Sequence, residues 1–265
     1  MQTVNKIDGI NAFFEHMAIP KSCELNKPIY KKMFLDNGAL DVTDKACIKD
    51  DIDKVRWLYT LKPSTINIAP YVDNEREYPE VAVLHVELSN PKRIKRIANF
   101  INRSIPYPLV LIFTCIIEGK DTLAISLADK RINQADKEKW VIEDSINTDW
   151  IELNGQTEIQ SEFLNSLTIN SLPFKNFKEF YHALLNRVIA NNCASHSGKF
   201  SLDNPDEAEN GIGRLSKLRE LEKLDIKKAE IANKLKKEKQ MGKQVELNTQ
   251  VKQINDRIAL IKGSL

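Results

Sequence analysis

Cysteine is scarce and scattered in this 265-residue chain: Cys23, Cys47, Cys115 and Cys193 form no CxxC pair. That spacing excludes a zinc ribbon, a redox motif and a disulfide framework, and leaves reduced thiols in a cytoplasm as the simplest reading. Glycine and proline number only 9 and 10, beside 42% apolar and 29% charged residues. Such a composition excludes collagen-like repeats, low-complexity sequence and wholesale disorder. No stretch approaches the roughly 20 unbroken apolar residues that cross a bilayer. Met1 to Pro20 carries Lys6, Asp8, Glu15 and His16, so no signal-peptide core is expected either. GxSxG, Walker-type and GxGxxG motifs are absent, and His16, His85, His182 and His196 lack metal-ligand spacing. An architecture and a mode of association are legible. A reaction is not.

What is present is unevenly charged. From Asn210 to Leu265 there are 14 Lys+Arg against 7 Asp+Glu, a net of +7, which leaves 25 basic and 30 acidic residues in the remainder. The tail is also periodic. Leu224, Lys228, Ile231 and Leu235 step as one heptad seam, and Leu247, Val251, Ile254, Ile258, Ile261 and Leu265 step as another. Extending the first seam lands on Glu238, Gly242, Val245 and Thr249, two residues out of phase with the second. Two residues swing an apolar stripe by about 200°, so one straight helix would carry stripes on opposite sides. A helical hairpin resolves this: Leu215 to about Gln240, a turn near Met241-Gly242, then Lys243 to Gly263. So narrow a seam is marginal without a staple or partner, which points to docking on a second copy or another protein; packing onto the chain's own body, against the Asn176 to Asn192 helix, is the alternative.

The body reads as helix, then sheet. Ile10, Phe13, Phe14 and Met17 share a helical face; Asn26-Lys27-Pro28 suits a helix start, followed by Ile29, Met33 and Phe34 and a stop at Asn37-Gly38. Thr43 to Asp50 adds a short helix. Val55 to Leu61 alternates as a strand, and Val81 to Leu88 is apolar enough to be central in a sheet. Asn90 caps a helix beginning at Pro91, with Ile94, Ile97, Ala98 and Ile101 inward. Leu109 to Ile117 and Leu123 to Ala128 form a hairpin about Glu118-Gly119-Lys120-Asp121, with further strands at Lys139 to Glu143 and Asp149 to Leu153. Asn176 to Asn192 is amphipathic, and Cys193 to Gly213 is polar.

Three constellations bear on chemistry. A restriction-type nuclease needs carboxylates plus a lysine at a sheet edge, to hold a metal and activate water. The candidates are Asp51, from the cluster Asp50, Asp51 and Asp53, with Glu87 and Lys130; acidic residues at strand ends facing water are the plainer reading. Lys130 and Arg131, with Arg93 and Arg96 on the neighbouring helix, could contact nucleic acid or phosphate, though aromatic stacking platforms are missing. The tail's charge would add to such contact through counterion release. His85, inside an apolar strand, suits a hydrogen-bonded core histidine.

The run Trp57-Leu58-Tyr59-Thr60-Leu61-Lys62-Pro63-Ser64-Thr65-Ile66-Asn67-Ile68, with Ile105-Pro106-Tyr107-Pro108, Ala128-Asp129-Lys130-Arg131-Ile132-Asn133 and Thr148-Asp149-Trp150, resembles a bacterial family catalogued as domain of unknown function 4391. The resemblance covers the chain to about Leu153. It implies a setting in restriction-like, phage-defence loci, beside helicases and DNA methyltransferases, and it carries over no catalytic residue. Where the family's pattern has Glu-x-Lys on the second strand, this chain has Glu87-Leu88-Ser89, which counts against a nuclease. The segment Lys236 to Asn248 also resembles an ending found on several proteins of such loci, which implies helical association between subunits.

The expected fold is therefore α+β, a mixed, mostly antiparallel sheet with helices on one face, followed by a C-terminal α-helical coiled-coil hairpin. Its divisions are a core at 1–153, a helical extension at 154–193, a linker at 194–213 and the hairpin at 214–265. The expected role is a cytoplasmic accessory subunit, more a non-enzyme than an enzyme, of a defence or DNA-processing assembly. Leu224, Ile231, Leu235, Leu247, Val251, Ile254, Ile258 and Ile261 would meet the partner, a helicase or methyltransferase subunit or a second copy. No metal or other cofactor is expected, magnesium entering only with the nuclease alternative; nucleic acid remains a possible partner and a membrane does not.

Overall fold

The computed structural model describes residues 7–37, 40–136, 140–202 and 208–265. Gly38 of the expected helix stop, Lys139 at the head of an expected strand, and 203–207 of the expected linker lie outside them. In chain order the elements are α1 (Gly9–Met17), β1 (Glu24–Pro28), α2 (Lys31–Asn37), α3 (Val42–Asp50), β2 (Ile52–Leu61), α4 (Pro63–Ile66), β3 (Tyr71–Val72), β4 (Glu77–Tyr78) and β5 (Val81–Leu88). Then come α5 (Ile94–Ser104), β6 (Leu109–Ile117), β7 (Lys120–Ile132), β8 (Trp140–Asn147), β9 (Ile151–Glu152), α6 (Glu158–Ser166), α7 (Phe177–Ser197), α8 (Ala208–Leu235) and α9 (Met241–Lys262). The chain divides into two compact units, Met1–Val188 and Ile189–Leu265, with the division inside α7.

The first unit is built on a mixed sheet ordered β1-β2-β5-β6-β7-β8, with β9 added beside β7. All of its pairings are antiparallel except β5 with β6, which α5 connects. Adjacent parallel strands need a crossover, and the Asn90-capped stretch supplies it: Asn90 Oδ1 accepts from the amide of Lys92 as the helix begins. The β6–β7 turn is two residues long, Glu118 at φ 51° and Gly119 at φ 77°, the left-handed pair of a type I′ hairpin.

The expectation of helices on one face is corrected. Ala82, Leu84 and Val86 pack with Leu111 and Phe113 against Phe34 of α2, Ile48 of α3 and Phe100 of α5. The alternate residues Val81, Val83 and Val110 face Met17 of α1 and Phe180 and Leu184 of α7. A strand as uniformly apolar as β5 exposes grease on both sides, and only helices on both sides remove it from water. Each fully buried Leu, Ile or Phe here contributes about 1.5–3 kcal/mol.

Asn26-Lys27-Pro28 is likewise a correction. It starts no helix but lies in the edge strand β1, whose register against β2 shifts between Glu24 and Lys27, with Asn26 at φ 47°. Pairing with the exposed rim of β2 outweighs the local cap signal.

In the second unit α8 and α9 pack together, antiparallel, as Lys217 bonding to the Ser264 carbonyl and Arg257 to Glu220 demonstrate. The connection is Lys236 to Gln240, earlier than the expected Met241-Gly242, which instead opens α9. Glu238 decides the position: its Oε1 accepts from the amides of Lys239 and Gln240 and closes the turn.

Candidate functional site

The carboxyl ends of parallel strands are where ligands settle in α/β layers, because crossovers leave a crevice there. This sheet has such a crevice, a cleft of about 550 Å³. On β5 the two-residue period puts His85 and Glu87 on its floor. Antiparallel pairing brings Arg56 of β2 opposite His85 and Lys54 opposite Glu87. Asp53 of β2, Thr114 of β6, Asp121 of β7 and Phe14 of α1 complete the lining.

His85 is 8% exposed, hydrogen-bonded to Thr114 Oγ1 at 2.8 Å through Nε2, and packed edge-on to Phe14 with ring centres 5.4 Å apart. Burial pushes its pKa down to about 4, so the ring is neutral at physiological pH. Glu87 Oε1 lies 3.3 Å from Lys54 Nζ and 3.9 Å from His85 Nδ1. Arg56 Nη2 donates to Asn26 Oδ1, so the left-handed residue of β1 holds a guanidinium at the rim. A neutral imidazole, a lysine-paired carboxylate and further carboxylates thus share one cleft.

Among the described residues no three His, Cys, Asp or Glu side chains converge closely enough to hold a metal. Magnesium asks less of a protein, commonly one or two carboxylates with water and substrate phosphate filling the rest. Asp53 and Glu87 are the residues that could supply them, with Glu87 giving up its lysine.

The expected set Asp51, Glu87 and Lys130 does not converge. Asp51 is 1% exposed and receives Arg93, Nη2 to Oδ1 at 2.8 Å, beside α5. Lys130 is at the other end of the sheet: β7 runs past Leu127, opposite Val110, whereas Glu87 lies opposite Thr114. At 3.3 Å per residue the gap is roughly 20 Å. Lys130 is no loop cation either. It sits inside β7, 3% exposed, donating from Nζ to the Ile105 and Tyr107 carbonyls at 2.7 Å each. Burial lowers its pKa to about 7. Arg96 is held by Asp41 and Asp44, and Arg103 joins Asp44 at 3.0 Å. Arg131 is half-buried on β7, opposite Val141.

Three of the four sequence blocks meet around Lys130. Trp57 donates from Nε1 to Thr60 Oγ1 at 2.8 Å and meets Tyr107 edge-on, 6.5 Å between centres, while Lys130 ties down the Ile105–Tyr107 backbone. The fourth block is structural too: Thr148 Oγ1 accepts from the Ile125 amide, and Trp150 packs on the α5-side core. Asp129 accepts from Tyr78 at 2.7 Å and Arg76 at 3.0 Å, and Tyr78 is in turn hydrogen-bonded to His182 at 3.2 Å. Arg76, Tyr78 and His182 escaped the sequence reading because 51 to 104 positions separate the partners. Lys54 and Arg56 escaped it because only strand pairing carries them to Glu87 and His85.

Of the expected docking residues, Ile231, Ile254, Ile258 and Ile261 are buried in the α8–α9 seam together with Leu221. Leu224, Leu247 and Val251 remain half-buried along its margin, and Leu235 is half-buried at the end of α8.

A family model described as domain of unknown function (DUF4391) matches residues 17–258. No curated protein and no solved structure matches the chain.

Proposed function

The chain belongs to the family described as domain of unknown function (DUF4391), and from that premise we propose that it is a docking subunit. Its setting, taken from the resemblance, is a bacterial restriction-like defence or DNA-processing assembly in the cytoplasm. Its work there is non-catalytic, and its C-terminal helices engage the partner as a coiled coil. The observation that carries this is the margin of the α8–α9 seam. Leu224, Leu247 and Val251 stay half-buried against the seam, and Leu235 is half-buried at the end of α8, so a further helix laid there removes apolar surface that two helices cannot hide. The test is co-elution with a helicase or methyltransferase subunit encoded beside this chain. Leu247→Glu with Val251→Glu is expected to abolish the complex while the far-ultraviolet spectrum stays helical. A complex that survives deletion of residues 210–265 refutes docking through this tail.

A second reading, a metal-dependent nuclease or nucleic-acid-binding core, is favoured by the cleft. Asp53 and Glu87 line it and Lys54 pairs with Glu87, which supports Asp53, Glu87 and Lys54 as the candidate set. Plasmid cleavage with magnesium should then fall at least about 100-fold in Glu87→Ala, the scale of losing an essential catalytic group. Equal cleavage by Glu87→Ala and the unaltered chain removes this reading.

A further inference from the structure

Three of the four cations expected to face nucleic acid are engaged within the fold, Arg131 being the exception. Arg93 is bound to Asp51, Arg96 to Asp41 and Asp44, and Lys130 to two buried carbonyls. The stretch from the last turn of α8 through the connection to the first turn of α9 differs. Lys234, Lys236, Lys237, Lys239 and Lys243 are all exposed, and among the described residues none has a carboxylate within salt-bridge distance. Glu238 is the one acid between Ile231 and Val245; its Oε1 accepts from the Gln240 and Lys239 amides, which lower its pKa, and of the five lysines Lys243 lies near enough to lower it further.

Helix stability does not account for all five lysines. Lys234, Lys236 and Lys237 lie at the carboxyl end of α8, where a cation is favourable. Lys239 and Lys243 flank the amino end of α9, where the helix dipole repels a cation; the first turn of α9 holds no acid, and Glu238, just ahead of it, offsets Lys243 alone. Such concentrated charge persists at a cost unless an anion meets it.

We propose that this five-lysine stretch, Lys234 to Lys243, grips the phosphate backbone of a nucleic-acid duplex without reading its sequence. The chemistry narrows the ligand. Residues 208–265 contain no Phe, Trp or Tyr, so there is no platform for stacking unpaired bases and no aromatic anchor for a membrane interface. The cluster holds no arginine, the side chain that most often reads guanine with a bidentate fork. What remains is point charge on flexible stems, suited to phosphates at duplex spacing. This contact does not depend on partner docking through the seam.

The test is fluorescence anisotropy of a labelled 20-base-pair duplex of arbitrary sequence, titrated with the full chain between 50 and 200 mM salt. Five phosphate contacts give a log–log salt slope of about −4 to −5, a loss of several hundred-fold, roughly, across that range. Replacing all five together, Lys234→Gln, Lys236→Gln, Lys237→Gln, Lys239→Gln and Lys243→Gln, should weaken binding at 50 mM salt by about 100-fold or more and flatten the slope. The matching five Lys→Arg changes should retain both, which separates lost charge from lost fold. Partner co-elution should be unaffected by the Gln set, so this proposal and the docking reading fail separately. The proposal is overturned by no duplex binding at 50 mM salt, by an unchanged slope in the Gln set, or by binding to phosphatidylserine vesicles in preference to duplex.

Discussion

Lys130 carries an ammonium into an interior that leaves it 3% exposed, where it donates to two backbone carbonyls. Its lowered pKa has a direction in stability. The unfolded chain binds a proton up to the ordinary lysine range, about 10.4, whereas the folded chain releases it near 7. The cost of the buried charge is therefore fully present below about pH 7 and is relieved as pH rises toward 10. Urea unfolding at pH 6 through 10 should show the unaltered chain gaining stability relative to Lys130→Met across that window. Parallel pH profiles for the two would contradict this account. Lys130→Met also strands the Ile105 and Tyr107 carbonyls, a penalty of about 1–3 kcal/mol at all pH values that leaves the slope untouched. A cation chosen for a phosphate would face water; this one fastens a proline-flanked loop to a strand. The sequence pattern Ala128–Asn133 looked like chemistry because composition marks a lysine and an arginine without marking burial.

Hairpin elements were the most legible, since their instructions are local. Glu118-Gly119 forces the chain through two left-handed residues, and only glycine takes that conformation without cost. An alanine side chain at position 119 would meet nothing within 4 Å, so the penalty of Gly119→Ala is conformational alone. It should lower stability by about 1 kcal/mol, and Glu118→Asn should raise it by a few tenths, both measured by urea denaturation. Where an element depends on a distant partner, local signals misled. Asn26-Lys27-Pro28 has the chemistry of a helix start, yet the open edge of β2 recruits it as β1. The phase break predicts the α8–α9 connection and puts it near Met241-Gly242. The turn falls at Lys236 to Gln240, because a carboxylate that accepts two successive amides stops the chain more firmly than a glycine permits it to bend.

At the scale of the whole chain, the periodicities of 2 and 3.6 residues determined the type of the long central strands and amphipathic helices, and the two-residue phase slip determined that α8 and α9 cannot form one straight helix. Those are properties of neighbours along the chain, and they survive without knowing the fold. The tertiary structure alone decided which polar groups share space. The α5 crossover makes β5 and β6 parallel, and antiparallel β2 then delivers Asp53 and Arg56 to the cleft that holds His85 and Glu87, with Lys54 paired to Glu87. The same sheet sends Lys130 to the opposite end and pairs Asp51 with Arg93. Strand order and register set these distances, and both follow from burying apolar surface on two faces at once. A side chain's own identity states only what it could do if the right neighbour were brought to it.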